Sequence, residues 1–294
     1  MNVLRKCNLC PRNCLVDRYK CTGYCKAKAK IKVALVSLHK WEEPFISGSN
    51  GSGTIFFSNC NLRCIFCQNK KIRDGYGKEI SIKRFSEILL EQQSRGAHNI
   101  NLVTPTHFTP LIKKGIIKAK KEGLNIPIVY NTSSYENIDT IKIMDNLVDI
   151  YLADFKYYDN KYAKKYSKVN DYFEVAIASI NEMYKQVGPP IIKNNLLKRG
   201  LVVRVLLLPG LVEDAKKIIK YLYDKYQDHI YISIMNQYTP IDKYIYEELN
   251  RKVLDSEYEE LVNYACDLGI TNAFIQEGDT CLESFIPNFN LDNI

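Results

Sequence analysis

No apolar run in this chain approaches the ~20 residues that a membrane-crossing helix requires, and its first residues carry no apolar signal core. Neither a membrane helix nor secretion is therefore expected, and a cytoplasmic setting is. A glycine-rich phosphate loop is also missing, which argues against a doubly wound nucleotide-binding fold. There is no low-complexity tract and no internal repeat beyond an alternation of short apolar runs with helical stretches. What the 294 residues do hold is 46% hydrophobic and 25% charged composition, enough for one large α/β domain with a small appendage. Ten cysteines without a secretory signal read as metal ligands in a reducing compartment, not as disulfides.

The formal net charge of +8 invites a nucleic-acid partner. The lysines, however, are scattered in pairs (Lys70-Lys71, Lys113-Lys114, Lys120-Lys121, Lys164-Lys165, Lys216-Lys217) amid abundant Asn, Ile and Tyr. Such pairs belong on solvated helix faces, and nucleic acid is not the expected partner.

The cysteines fall into two groups. Cys60, Cys64 and Cys67 lie within eight residues, spaced x3 then x2, just after the β-branched and aromatic run 53–59. Thiolates this close can reach one soft metal centre, and four-iron clusters are held by cysteine sulfur. With three ligands where a closed cluster needs four, one iron stays open, as a catalytic centre requires. A zinc site is the plainer alternative. Cys7, Cys10, Cys14, Cys21 and Cys25 crowd residues 1–30, a segment with little to bury and in need of a staple. A tetrathiolate site takes four of the five, and Gly23, giving a turn just before Cys25, favours Cys7, Cys10, Cys14 and Cys25. Zinc and a second iron–sulfur cluster both suit this set. The division expected is a Cys-rich metal-binding segment over 1–30 and a single domain over 31–294.

Along the chain, strands are expected over 32–38, 53–59, 99–103, 127–130, 148–155, 201–208 and 230–235. Helices are expected over 81–94, with Ser81 as N-cap, 111–122 with Gly123 behind it, 136–145, 171–187, 213–226 and 255–268. This alternation predicts βαβ units and a parallel sheet, as a barrel or partial barrel. Between the first two strands, His39, Trp41, Glu42 and Glu43 read as an ordinary polar loop without chemistry, and Gly48, Gly51 and Gly53 as a tight passage beside the cysteine loop.

The Cys60-x3-Cys64-x2-Cys67 loop resembles the cluster loop of the radical S-adenosylmethionine (radical SAM) superfamily. Further stretches, Cys7-x2-Cys10-Pro11-Arg12-x-Cys14, Glu42-Glu43-Pro44-Phe45-Ile46-Ser47-Gly48, Gly51-Ser52-Gly53-Thr54 and Val103-Thr104-Pro105-Thr106-His107, resemble uncharacterised relatives of pyruvate formate-lyase activating enzyme. The resemblance implies a partial (β/α)6 barrel, a [4Fe-4S] cluster on Cys60, Cys64 and Cys67, S-adenosylmethionine as cofactor with Phe66 beside it, and the same four N-terminal cysteines with Cys21 spare. It also implies a reduced flavodoxin or ferredoxin as electron donor, and hydrogen abstraction from a backbone glycine of a partner enzyme. A small-molecule substrate is the alternative, and a zinc-binding nucleic-acid module is the rival from another class.

In a barrel the remaining chemistry belongs at the strand ends. Thr104 and Thr106 stand where superfamily relatives often carry Gly-Gly-Glu, and their hydroxyls and carbonyls would accept the cofactor ammonium; the carboxylate is missing. His107 is either an acid–base group or, more readily, a hydrogen-bonded wall residue. Asn131 and Ser133 occupy a position that in relatives contacts the cofactor ribose or carboxylate, and one of this polar cluster would serve as a helix N-cap. Asp154 and Lys156, two apart on extended chain, face one side and each need a partner; the resemblance places both near cofactor and substrate, as catalytic residues. Arg204, the one charge in its strand, must meet an anion, which the cofactor carboxylate or Asp154 would supply. Asn236-Gln237-Tyr238 is polar at the mouth, Gln276-Glu277 would close the open side, and Cys266 and Cys281 read as structural.

Overall fold

The computed structural model describes residues 3–276 and 287–294. In chain order its elements are β1 (Ile31–His39), α1 (Pro44–Ser47), β2 (Ser52–Phe57), α2 (Lys70–Arg73), β3 (Lys78–Ile80), α3 (Ile82–Ser94), β4 (Ile100–Val103), α4 (Thr109–Lys121), β5 (Ile128–Thr132) and α5 (Ile138–Ile143). There follow β6 (Ile150–Asp154), α6 (Asn160–Ser167), α7 (Tyr172–Val187), β7 (Ile191–Lys193), β8 (Leu196–Leu206), α8 (Val212–Tyr226), β9 (Tyr231–Met235), α9 (Asp255–Asp267) and β10 (Ala273–Ile275).

One sheet runs in the order β10-β9-β8-β6-β5-β4-β2-β1-β3. From β2 to β10 every neighbouring pair is parallel, while β1 lies antiparallel to both β2 and β3. No ladder joins β3 to β10 among the described residues, so the barrel is partial, as expected from the βα alternation. Period-two alternation decides its two faces. Ile55, Leu102, Tyr130, Ala153, Val203 and Ile234 pack outward beneath the helices in the main core. Val129, Ile150, Leu152 and Val202 turn the other way, onto the concave side.

That concave side is plugged at the starts of the strands. Phe45 and Ile46 of α1 pack onto the inward residues, with Phe45 stacked on Phe274 (4.5 Å between ring centroids) and tilted against Tyr231. The stretch expected as a polar loop is thus part of the core, and the carboxylates just before it are carried inside with it. The glycines of this stretch serve a different purpose from the expected passage beside the cysteines. A Cβ on Gly53 would lie 2.8 Å from the Gln92 Cβ and 3.2 Å from the Asn99 carbonyl oxygen. Gly53 therefore lets β2 close onto α3 at the end opposite the cysteine loop.

Ser81 caps α3 as predicted, its hydroxyl accepting from the Arg84 N–H at 3.0 Å. The predicted 136–145 helix shortens to α5, and α6, β3, β7 and β10 are additions. Residues 3–30 contain turns and no regular element. Leu4, Cys7 and Leu9 form a small core there against Leu111 and Ile143. Arg18, 1% exposed, is satisfied without a carboxylate: it donates to the carbonyls of Ala27, Lys28 and His107. Among the described residues no helix is long and apolar enough to cross a membrane.

Candidate active site

The cysteine loop follows the last residue of β2, at the end of the sheet where barrel sites form. Local bonds shape it: the Arg63 N–H points at Cys60 Sγ (3.5 Å), the Cys67 N–H donates to the Cys64 carbonyl (3.3 Å), and Arg73 Nη1 grips that same carbonyl at 2.8 Å. Arg63 and Arg73 together clasp Asp74. The Ser167 hydroxyl donates to Cys64 Sγ at 3.1 Å. Phe66, expected beside the cofactor, is 5% exposed and anchors the loop edge-on among Tyr157, Tyr166 and Tyr238. Burial pushes the Cys67 thiol up to about 12, and the charges of Cys60 and Cys64 add to this. Burial likewise raises Cys60, the Arg63 N–H opposing and Cys64 adding. Cys60 and Cys67 thus hold protons until a cation shares the loop, the behaviour of soft-metal donors. Among the described residues no three Cys, His, Asp or Glu groups are already drawn to metal-binding distance.

Two of the N-terminal cysteines, Cys10 and Cys25, show the same electrostatics. Burial raises Cys10 to about 12, the Arg12 N–H opposes, and Cys25, Glu136 and Cys7 add to the rise. Burial raises Cys25 too, with contributions from Cys7 and Cys14. Cys14 Sγ accepts from the Tyr24 N–H at 3.3 Å, and a Cβ on Gly23 would lie 2.8 Å from that sulfur. Gly23 thus makes room for Cys14, where sequence reading gave it the aiming of Cys25. Cys21 is exposed and points at its own turn, toward the Asp17 carbonyl. The two cysteine groups are joined by Arg12, which sequence reading quoted without a role. Its guanidinium donates to the carbonyls of Asn61 (3.0 Å), Leu62 (3.3 Å), Ser167 (2.9 Å) and Lys168 (2.7 Å), stacked 3.7 Å from the Tyr24 ring centre.

Beneath the loop lies a charged layer. Arg204 stands level with Asp154 of β6 and Ser233 of β9 in the ladder. It donates to Asp154 Oδ1 (2.8 Å), Glu42 Oε2 (3.1 Å) and Asn131 Oδ1 (2.7 Å), and Lys156 donates to Asp154 Oδ2 (2.8 Å). The partner reserved for Arg204 is thus Asp154, joined by a carboxylate that sequence reading dismissed. Burial works to raise Asp154, but the Arg204 and Lys156 charges outweigh it and hold the carboxyl below its usual range. Burial works to lower Lys156, yet Asp154 and then Cys64 hold it above its ordinary value. That influence sets the charged layer in electrostatic reach of the cysteine loop. Glu42 and Glu43, which read as loop residues without chemistry, both turn their carboxylates inward here: Glu43 is buried, and 9% of the half-buried Glu42's side chain is exposed. Burial raises both carboxyls against the pull of Arg204. Glu43 Oε2 and Asn101 Oδ1 have no partner within the described chain. Three carboxylates face two cations, so the layer favours one further positive charge, a proton or a ligand.

The strand-end threonines divide. Thr104 is half-buried with φ +60, at the rim. Thr106 is 1% exposed and its hydroxyl is donated to Glu136 at 2.5 Å, as is that of Thr132. Thr106 thus lies buried against Glu136, away from the half-buried Thr104. Ser133 is half-buried, and its carbonyl takes the Tyr172 hydroxyl at 2.8 Å. Burial pushes Glu136 up to about 7, against the lowering effect of Thr106, Thr132 and Tyr130. His107 donates from Nε2 to the Ser58 carbonyl (2.8 Å), and burial, then Arg18, lowers it to about 3. The imidazole is thus neutral and pinned to the Ser58 carbonyl. Gln68 ties the end of the cysteine loop to the Gln237 carbonyl at 2.8 Å, and Gln276 accepts from the Asn236 N–H at 2.7 Å. Cys266 is exposed, not structural; Glu277 and Cys281 lie outside the described residues.

Glu136 gives a pH prediction. Its folded value lies above its ordinary 4.5, so the native state keeps a proton that the unfolded chain releases. Stability should fall as pH rises from about 4.5 to about 7, by roughly 3 kcal/mol. Urea unfolding of the reduced protein at pH 5 and pH 8 should show that difference, and Glu136→Gln should remove most of it.

The profile of the Radical SAM superfamily matches residues 54–222, more than half of the chain. The chain belongs to that superfamily. It is 28% identical over 277 residues to an uncharacterised protein of Methanocaldococcus jannaschii, covering 90% of this chain and 75% of that one. Among solved structures it is similar in fold to Streptococcus suis SuiB bound to the precursor peptide SuiA, at TM-score 0.50 and 14% identity over 75% of this chain. The alignment takes in 47% of SuiB, so the chain spans about half the length of that protein. A looser likeness, TM-score 0.43 at 13% identity over 58% of this chain and 92% of the other, is to a domain of pyruvate-formate lyase-activating enzyme from Bacteroides vulgatus.

Proposed function

We propose that Cys60, Cys64 and Cys67 hold a [4Fe-4S] cluster with one open iron, and that the charged layer beneath receives S-adenosylmethionine. When bound and reduced, such a cluster supplies one electron to the sulfonium, whose homolysis yields methionine and a hydrogen-abstracting 5′-deoxyadenosyl radical. The observation that carries the reading is the surplus carboxylate of the layer beside the three-cysteine loop, since the cofactor brings positive charge. Arg204 is placed to meet a carboxylate and Glu42, Glu43 and Asp154 to hold an ammonium or sulfonium; Thr104 and Ser133 line the rim, and Asn131 adds its carboxamide to the layer. Lys156 holds Asp154 ionised, and the plug of Phe45 and Ile46 excludes water from below.

Residues 1–30 we read as a distinct metal-binding segment, holding zinc or a second cluster on Cys7, Cys10, Cys14 and Cys25, against a barrel domain over 31–294. The setting is cytoplasmic, and a reduced flavodoxin or ferredoxin supplies the electron. The resemblance of the 42–48 and 103–107 stretches extends the reading to a backbone glycine of a partner enzyme as hydrogen donor, with a small molecule as the alternative. The test is anaerobic reconstitution with iron, sulfide and zinc analysis and electron paramagnetic resonance of the reduced protein. A spectrum altered by S-adenosylmethionine, with 5′-deoxyadenosine formed, is expected; zinc without iron would overturn the reading.

A smaller effect follows from the Ser167 hydroxyl on Cys64 Sγ. A hydrogen bond to a ligand sulfur favours the more negative, reduced cluster. Ser167→Ala should lower the reduction potential by up to ~59 mV, the tenfold equivalent for one electron, as read by potentiometric titration.

A further inference from the structure

The Cys-rich segment runs into β1 as Lys26-Ala27-Lys28-Ala29-Lys30-Ile31-Lys32. Burial alternates along it: Ala27 and Ile31 are each 1% exposed, whereas Lys26, Lys28 and Lys30 are exposed and Lys32 is half-buried. Four ammonium groups are thus brought to one surface by an irregular stretch that enters β1 at Ile31. They line one wall of a surface cavity of about 270 Å³, whose other wall is Asn59, Asp74, Gly75, Glu79 and Phe108. Asn59 immediately precedes Cys60. Asp74 is held by Arg63 and Arg73, and Arg73 also holds the Cys64 carbonyl. The far wall of the groove is thus the outer skin of the cysteine loop.

The negative charges in this groove are already engaged. Asp74 belongs to the two arginines, and Glu79 pairs with Lys30 at 3.3 Å. Lys32 donates to the Gly75 carbonyl at 2.5 Å. Lys26 and Lys28 have no carboxylate partner among the described residues, so the groove presents unmatched positive charge to the solvent.

We propose that this groove is the docking surface of an acidic electron-donor protein. The inference rests on the radical SAM reading, which needs one electron from outside the chain. The inner side of the loop faces the barrel interior and the charged layer, so the outer skin is the approach left for a protein donor. Redox encounters bury little area and depend on charge steering, which suits a basic strip beside the centre to be reduced. In the step, a reduced flavin or iron–sulfur donor loses one electron and the cluster gains it; no bond is made or broken, and no proton has to cross.

The test uses the reconstituted full chain and compares reduced flavodoxin with dithionite as reductant for 5′-deoxyadenosine formation. Lys26→Glu/Lys28→Glu should lower the flavodoxin-driven rate about tenfold and leave the dithionite-driven rate unchanged, with iron and sulfide content intact. Lys28→Ala, a milder change that spares the neighbourhood of Cys25, should lower it about threefold. Lys113→Glu/Lys114→Glu on α4, an equal change of charge elsewhere, should behave as wild type. Added salt should slow the flavodoxin-driven wild type and have less effect on the variants. An unchanged flavodoxin-driven rate, or an equal loss with both reductants, overturns the proposal. So does calorimetric binding of pyrophosphate that the double variant loses while its flavodoxin rate is kept; the groove would then serve a small anion. Failure of wild type with dithionite would instead overturn the radical SAM reading itself.

Discussion

Cys64→Ala is expected to abolish formation of 5′-deoxyadenosine, a loss of at least about a thousandfold, and to remove the iron and sulfide of the barrel site. Cys60 and Cys67 alone would leave two irons of a four-iron cluster without protein ligands, where the site already works with one ligand fewer than a closed one. The effect should be local. The Cys64 backbone stays fixed by Arg73 on its carbonyl, and the loop by Arg12 on the Asn61 and Leu62 carbonyls. Folding should therefore survive while the metal does not. Cys21→Ala and Cys266→Ala are the matching controls: both side chains are exposed, and stability should change by no more than ~0.5 kcal/mol. Cys10→Ala should lower only the N-terminal metal. If Cys64→Ala and Cys10→Ala remove the same metal in the same proportion, the two cysteine groups do not form separate sites.

What could be read in advance was local. The cysteine loop is one turn of chain after a strand, and its spacing states its chemistry directly. The βα alternation announced the parallel sheet because periods of two and 3.6 are written in consecutive residues. Asp154 and Lys156 were legible as a pair because two residues on a strand share a face. The contacts that escaped connect distant parts of the chain. Glu42 meets Arg204 across 162 residues, and nothing in its own neighbourhood distinguishes it from a solvated loop acid. Its one signal was the apolar Phe45-Ile46 that follows Pro44, which must be buried and draws the preceding acids in with it. Glu136 was hidden by looking like a helix start: its carboxylate goes to Thr106 and Thr132, and α5 begins only at Ile138. Arg12 was written beside two cysteines, yet its work is done on carbonyls 49 and 155 residues away.

Arg204→Ala should be the most destabilising single change in the charged layer, at about 3–5 kcal/mol. The side chain is 12% exposed and joins three strands and the 40–51 stretch through Asp154, Asn131 and Glu42. Without it, three carboxylates share Lys156 alone, each already short of water. The pH dependence should then steepen. In the wild type Asp154 is held below its ordinary value, so its contribution is present at neutral pH and is lost as pH falls through that lowered value. In Arg204→Ala the Asp154 carboxyl loses that hold and Glu42 and Glu43 lose the pull that opposed their burial, so the native state binds more protons, and the gain in stability from pH 7 toward pH 5 should exceed the one Glu136 gives the wild type. Chemical denaturation of both proteins at those two values measures the excess. Adding Glu42→Gln should return up to ~2 kcal/mol by removing one of the unpaired charges, a coupling that a double-mutant cycle isolates. Arg204→Lys separates stability from function. It keeps the charge and so most of the stability, but a single ammonium cannot donate to Asp154, Glu42 and Asn131 together. Affinity for S-adenosylmethionine should therefore remain lost in the lysine variant if Arg204 orients the cofactor, and return with stability if the arginine only neutralises its neighbours.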